Sequence, residues 1–124
     1  MLEHVNVTVS DPAATAAWLG RVFGWRVRWE GEVLEGAGRT VHCGDEHSYV
    51  ALYGPKGGVG SGPSSYVTRA SLNHIGVVVD DLDAVEGRVR DEGFEPGMHA
   101  DYEPGRRFYF DDADGVEWEV VSYA

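Results

Sequence analysis

The chain has 124 residues, with 21 acidic against 10 basic side chains and a net charge of −11. That balance excludes nucleic acid and anionic membrane surfaces, which need basic patches. The length allows one shared core rather than two independent ones, the apolar runs are too short to span a membrane, and the single Cys43 forms no internal disulfide, so the expectation is a cytoplasmic protein.

In chain order, Val5, Val7 and Val9 alternate with His4, Asn6 and Thr8, predicting a strand with valines on a core face and a polar opposite face. Ser10-Asp11-Pro12 opens a helix, with Ser10 or Asp11 as cap, and Ala13 to Phe23 continues it until Gly24. Trp25 to Glu30 alternates as a second strand, and Gly31 to Gly38 reads as a loop or hairpin connection. Arg39 to Cys43 and His47 to Tyr53 predict two further strands joined at Gly44-Asp45-Glu46. Alternation sends Val50 and Leu52 toward the helix and Thr40, His42, Tyr49, Ala51 and Tyr53 to the polar side. Cys43 reads as a buried strand residue, and Trp18, Trp25 and Trp29 as core or subunit interface.

The stretch 54–70 is rich in Gly, Ser and Pro and marks a linker between a first module, 1–53, and a second, 71–124. The second module repeats the grammar of the first at a fixed offset: His74 falls under His4, Ile75 under Val5, Val77 under Val7, Val79 under Val9 and Asp81 under Asp11. Such an offset means that one supersecondary unit has been used twice. After His74 and its strand, a helix starts at Asp81-Leu82-Asp83 and ends near Gly93, a loop runs to about Pro104, Arg106 to Phe110 is a strand, Asp111 to Gly115 a turn, and Val116 to Tyr123 the last strand. In that strand Val116, Trp118 and Val120 are expected on the helix side, with Glu117, Glu119 and Val121 on the polar side.

The polar faces collect His4, His74 and Glu119, with Ala51 where the first module's counterpart of Glu119 would stand. Two imidazoles and a carboxylate on rigid strands are the ligand chemistry of a catalytic divalent metal centre with open positions. Tyr49, Tyr109 and Arg107 share the polar face as candidates for an anionic or phenolic substrate, Asn6 lines it, and His42 is a candidate acid-base or pocket residue.

Four stretches carry a resemblance: His4 to Asp11, Phe23-Gly24-Trp25, Asn73-His74-Ile75, and Arg107 to Glu119, which is similar to a "FYFxDPDGxxxE" pattern with Ala113 in place of Pro. Over nearly its whole length the chain resembles the vicinal oxygen chelate superfamily, which includes glyoxalase I, fosfomycin-resistance thiol transferases, extradiol dioxygenases, methylmalonyl-CoA epimerase and bleomycin-resistance proteins. The resemblance implies an α+β fold of two tandem βαβββ modules forming a curved mixed-sheet cup, often as a homodimer. It also implies one divalent ion (Fe, Mn, Zn, Ni or Co) held by His4, His74 and Glu119, and a small substrate chelating through oxygen. Ala51 departs from the Glu of glyoxalase I, whereas a His, His, Glu set is similar to the fosfomycin transferases and the extradiol dioxygenases. Tyr109 matches a tyrosine that contacts the oxyanion substrate in the transferases. The basic C-terminal extension of those transferases has no counterpart before Ala124. The reactions implied are isomerase or lyase, thiol transferase or extradiol dioxygenase chemistry. The rival reading is a metal-free drug-binding protein of the bleomycin-resistance type.

Overall fold

The structure, a computed structural model, describes residues 1–102 and 105–124. It divides into two compact units, Met1–Ser61 and Gly62–Ala124.

In the first unit, strand β1 (His4–Thr8) leads into helix α1 (Pro12–Phe23), followed by strands β2 (Arg26–Val33), β3 (Gly38–Gly44) and β4 (Tyr49–Pro55). The sheet order is β1-β4-β3-β2, with β1 parallel to β4 and the other pairs antiparallel. Local chemistry explains the helix ends. The Asp11 carboxylate accepts the Ala14 N–H at 3.0 Å, Pro12 occupies the first turn, and Gly24 takes the left-handed conformation (φ 73°) that stops the helix. The helix packs on the sheet through Ala16, Trp18, Leu19 and Val22, which meet a core of Val9, Val41, Cys43, Val50 and Leu52. Each such aliphatic side chain contributes about 1.5–3 kcal/mol when removed from water. Cys43 is fully buried, and burial pushes its thiol up to about 11, so it serves the core and not nucleophilic chemistry.

In the second unit, strand β5 (Ile75–Val78) and helix α2 (Leu82–Asp91) are followed by β6 (Gly97–Tyr102), β7 (Gly105–Asp111) and β8 (Glu117–Ser122), in sheet order β5-β8-β7-β6. Asp81 caps α2 through the Ala84 N–H at 3.0 Å, as Asp11 caps α1. Leu82, Val85 and Val89 pack against Phe108, Phe110, Trp118 and Val120. Each unit is thus strand, helix, three strands, and the duplicated βαβββ plan expected from the sequence is present.

Three local expectations are corrected. The Gly31–Gly38 connection is shorter than expected, because β2 runs on to Val33 and a short 3-10 turn, Leu34–Gly36, reverses the chain. The strand expected from His47 begins at Tyr49, because the Asp45 carboxylate accepts the N–H groups of His47 and Ser48 (2.8 and 3.0 Å) and closes a turn there. The loop expected up to Pro104 contains strand β6, whose pairing with β7 carries an irregularity between Gly97 and Ala100, with Met98 at φ 48°. That bulge and the run Gly-Met-His-Ala-Asp-Tyr hide the period-two pattern. Pro104 itself lies outside the described residues. Among the described residues no helix is long and apolar enough to cross a membrane.

Candidate functional site

Strand register tests the proposed equivalence of positions directly. In the first unit β1 places Asn6 opposite Ala51; in the second, β5 places Gly76 opposite Glu119. Since Asn6 and Gly76 each lie two residues after a histidine, Ala51 and Glu119 are structural counterparts. On the next ladder His42 pairs with Ala51, as Tyr109 pairs with Glu119, so His42 is the counterpart of Tyr109 and, two residues earlier, Thr40 that of Arg107.

In the second unit these registers bring His74, Arg107, Tyr109 and Glu119 together. His74 Nε2 lies 3.0 Å from Glu119 Oε2, and its Nδ1 lies 2.7 Å from Asn73 Oδ1. Arg107 Nη1 donates to Glu119 Oε1 at 2.8 Å, and the guanidinium sits 4.9 Å over the Tyr102 ring. Burial works to raise the Glu119 pKa, but hydrogen bonds from Arg107 and Tyr109 and the His74 charge outweigh it and hold the carboxyl below its ordinary range. The Tyr109 phenol is pushed the other way, first by burial and then by its bond to Glu119, so it stays a donor at neutral pH. The Tyr109 ring meets His74 edge-on at 5.8 Å.

Two residues at this site were not assigned a role from the sequence. Glu117, on the polar side as alternation requires, has one oxygen hydrogen-bonded by the Tyr66 phenol and the other 3.7 Å from His74 Nδ1. Tyr66 comes from the segment read as linker, where no periodicity marks it; its phenol is pushed up to about 12, chiefly by the bond to Glu117. A cavity of about 150 Å³ is lined by Tyr109, Glu117, Glu95, Asp111, Met98 and Phe110.

The turn before β8 explains half of the sequence signature. Asp112 Oδ1 accepts the N–H groups of Asp114 and Val116 (2.9 and 3.0 Å), Oδ2 accepts the Trp118 indole N–H at 3.1 Å, and Gly115 takes φ 81°. Asp112 and Gly115 therefore build the turn that sets the register of Glu119. Ala113, where the pattern has Pro, is exposed and takes no part in these bonds.

In the first unit the polar face carries a ring column. The His4 and Tyr49 rings stack at 4.8 Å, Tyr49 and His42 at 4.5 Å, and Trp29 lies against His42 at 5.2 Å, with Arg28 4.7 Å over Tyr49. His4 Nδ1 lies 2.8 Å from Glu3 Oε1. Burial, followed by the neighbouring His4 and Arg28 charges, lowers the His42 pKa, so its imidazole is neutral at pH 7. Asn6 is exposed on β1, whereas Ala51 and Thr40 are buried, as is Val121 in the second unit despite its place on the polar side. Trp18 is a core residue, while Trp29 is half-exposed at the end of the ring column.

The donor chemistry of His74 and Glu119 fits a divalent ion. Their 3.0 Å separation is that of two neighbouring ligands sharing one ion through bonds of about 2.1 Å. Among the described residues no group of three or more His, Cys, Asp or Glu stands together as a metal set. His4 belongs to the first unit and His74 and Glu119 to the second.

Comparison with known proteins agrees with this fold. The family model described as Glyoxalase/Bleomycin resistance protein/Dioxygenase superfamily matches residues 1–120, and the chain belongs to that superfamily. No curated protein matches the sequence significantly. Among solved structures, the glyoxylase/bleomycin resistance protein/dioxygenase domain from Frankia sp. EAN1pec superposes with a TM-score of 0.83 at 21% identity, covering 98% of this chain and 90% of the other. The genomically encoded fosfomycin resistance protein FosX from Listeria monocytogenes, complexed with Mn(II) and a sulfate ion, gives 0.70 at 19% identity, covering 98% and 91%. FosX from Mesorhizobium loti gives 0.70 at 25% identity, covering 98% and 90%.

Proposed function

We propose that this protein is a metal-dependent enzyme of the superfamily, with His4, His74 and Glu119 as ligands of one divalent ion and a small oxygen-chelating molecule as substrate. The observation that carries this reading is the 3.0 Å approach of His74 Nε2, just before β5, to Glu119 Oε2 on the neighbouring β8, at the register where the first unit has Ala51. The fosfomycin resistance neighbour complexed with Mn(II) makes a divalent ion the natural partner for such a pair. When bound, the ion supplies Lewis acidity to a substrate oxygen. Tyr109, kept protonated, gives its phenol hydrogen bond to Glu119 and so steadies that carboxylate beside the place of the substrate oxygen. Tyr49 and His42 form a rigid aromatic wall and Asn6 a polar contact, with neutral His42 able to accept a proton. Isomerase or lyase, thiol-transferase and extradiol-dioxygenase chemistry all fit this arrangement. The working form is proposed to be a cytoplasmic homodimer.

A second reading has its own observation. Arg107, Glu119 and His74 are tied to one another, and the nearby cavity combines Glu95, Asp111 and Glu117 with Tyr109 and Phe110, a lining suited to a cationic aromatic guest. This is the metal-free, drug-binding alternative. Metal analysis of protein purified without chelator separates the two. The enzyme reading expects one ion per chain, lost in His74→Ala; a parent protein without stoichiometric metal overturns it. With Fe(II) bound, oxygen uptake on addition of a catechol identifies the dioxygenase branch, and its absence leaves the isomerase and transferase branches.

A further inference from the structure

We propose that Arg107 is a positioning residue for Glu119, holding one carboxylate oxygen so that only the other is presented to His74. Functionally this rests on the metal-centre reading above; its geometry does not.

Arg107 and Glu119 are both largely shielded, their side chains 12% and 13% exposed. The guanidinium is fixed three ways: Nη1 donates to Glu119 Oε1 at 2.8 Å, Nη2 makes a longer 3.4 Å bond to the Gly105 carbonyl, and Cζ lies over the Tyr102 ring. Glu119 Oε2 is left facing His74 Nε2. A charge this committed is poorly placed to receive a substrate anion, the role alternation alone suggested for it. The duplication provides an internal control. At the counterpart positions the first unit has Thr40 for Arg107 and Ala51 for Glu119, so the arginine and the carboxylate are present together in one unit and missing together in the other.

The chemical consequence follows from the planar fork of arginine. A carboxylate with one oxygen tied to a guanidinium donates through its other oxygen alone and occupies one ligand position rather than two. A two-oxygen substrate then has room.

Three measurements test the clamp. In metal-free protein, ¹⁵N spectra of the arginine side chains are expected to show slowed rotation of the Arg107 guanidinium, which becomes free in Glu119→Ala, where the accepting oxygen is gone. With Mn(II) as probe, Arg107→Gln is expected to bind about 10–100-fold more weakly, the range for removing an outer partner of a metal ligand. Infrared spectra of ¹³C-glutamate-labelled, Mn(II)-loaded protein should shift from one-oxygen to two-oxygen carboxylate binding in the same variant, and Arg107→Lys should recover only part of the affinity. Far-UV circular dichroism confirms that each variant is folded. A freely rotating Arg107 in the parent, or unchanged affinity and carboxylate spectrum in folded Arg107→Gln, overturns the proposal. If the parent binds no Mn(II) yet shows slowed Arg107 rotation that is lost in Glu119→Ala, the metal-centre reading fails and the clamp stands.

Discussion

Replacing Asp112 tests whether the turn before β8 sets the position of Glu119. Asp112 is 8% exposed and Trp118 1% exposed, so their mutual bond is sheltered from water. In Asp112→Asn the amide oxygen can still accept the Asp114 and Val116 N–H groups, but the amide NH2 then faces the Trp118 N–H, donor against donor. Leaving a buried donor unsatisfied costs about 1–3 kcal/mol. Burial pushes the Asp112 pKa up, so the carboxylate's charge is itself costly there and its removal returns part of that loss. The expected net destabilisation is about 1–2 kcal/mol, a fall in melting temperature of about 3–10 °C for a chain of this size. Asp112→Ala loses all three bonds and is expected to cost about 3–4 kcal/mol. Urea titration followed by tryptophan fluorescence measures both values. Equal stability of the Asn variant and the parent would refute the assignment of the Trp118 bond as a main tie of the turn.

Other outcomes follow from the same structure. Glu119 has a folded pKa below its ordinary 4.5, so its ion pairs stabilise the fold above that value and the contribution is lost as pH falls through the folded value; the Glu119→Gln variant should lack this acid-side dependence in urea titrations. His42 has a folded pKa below 6.5, so it contributes stability that is full above 6.5 and lost on acidification, and NMR titration should place its midpoint below 6.5. Asp11→Ala removes the α1 cap and should cost about 1 kcal/mol without altering metal stoichiometry, measured by thermal melts and metal analysis.

The duplication, the two capped helices and the faces of the β1, β4 and β8 side chains were legible because each depends on local pattern: period two in strands, an Asp cap before a helix, a Gly after it. The pairing of Ala51 with Glu119 was legible for a related reason, since a repeat conserves register even where it changes chemistry. Strand β6 was not legible, because its bulge at Met98 breaks alternation and its partner β7 supplies the order.

The site divides along the same line. His74 and Glu119 could be placed on one polar face from sequence alone, because side-chain direction in a strand is set by residue parity. Parity says which face a side chain occupies and nothing about what it touches. That Arg107 spends its charge on Glu119, that Tyr66 reaches Glu117 across 51 positions of chain, and that Tyr49 is stacked between His4 and His42 were decided only by cross-strand register and packing. These contacts cross from one strand or segment to another, and no local pattern of amino acids encodes a distance that forms only when the strands pair.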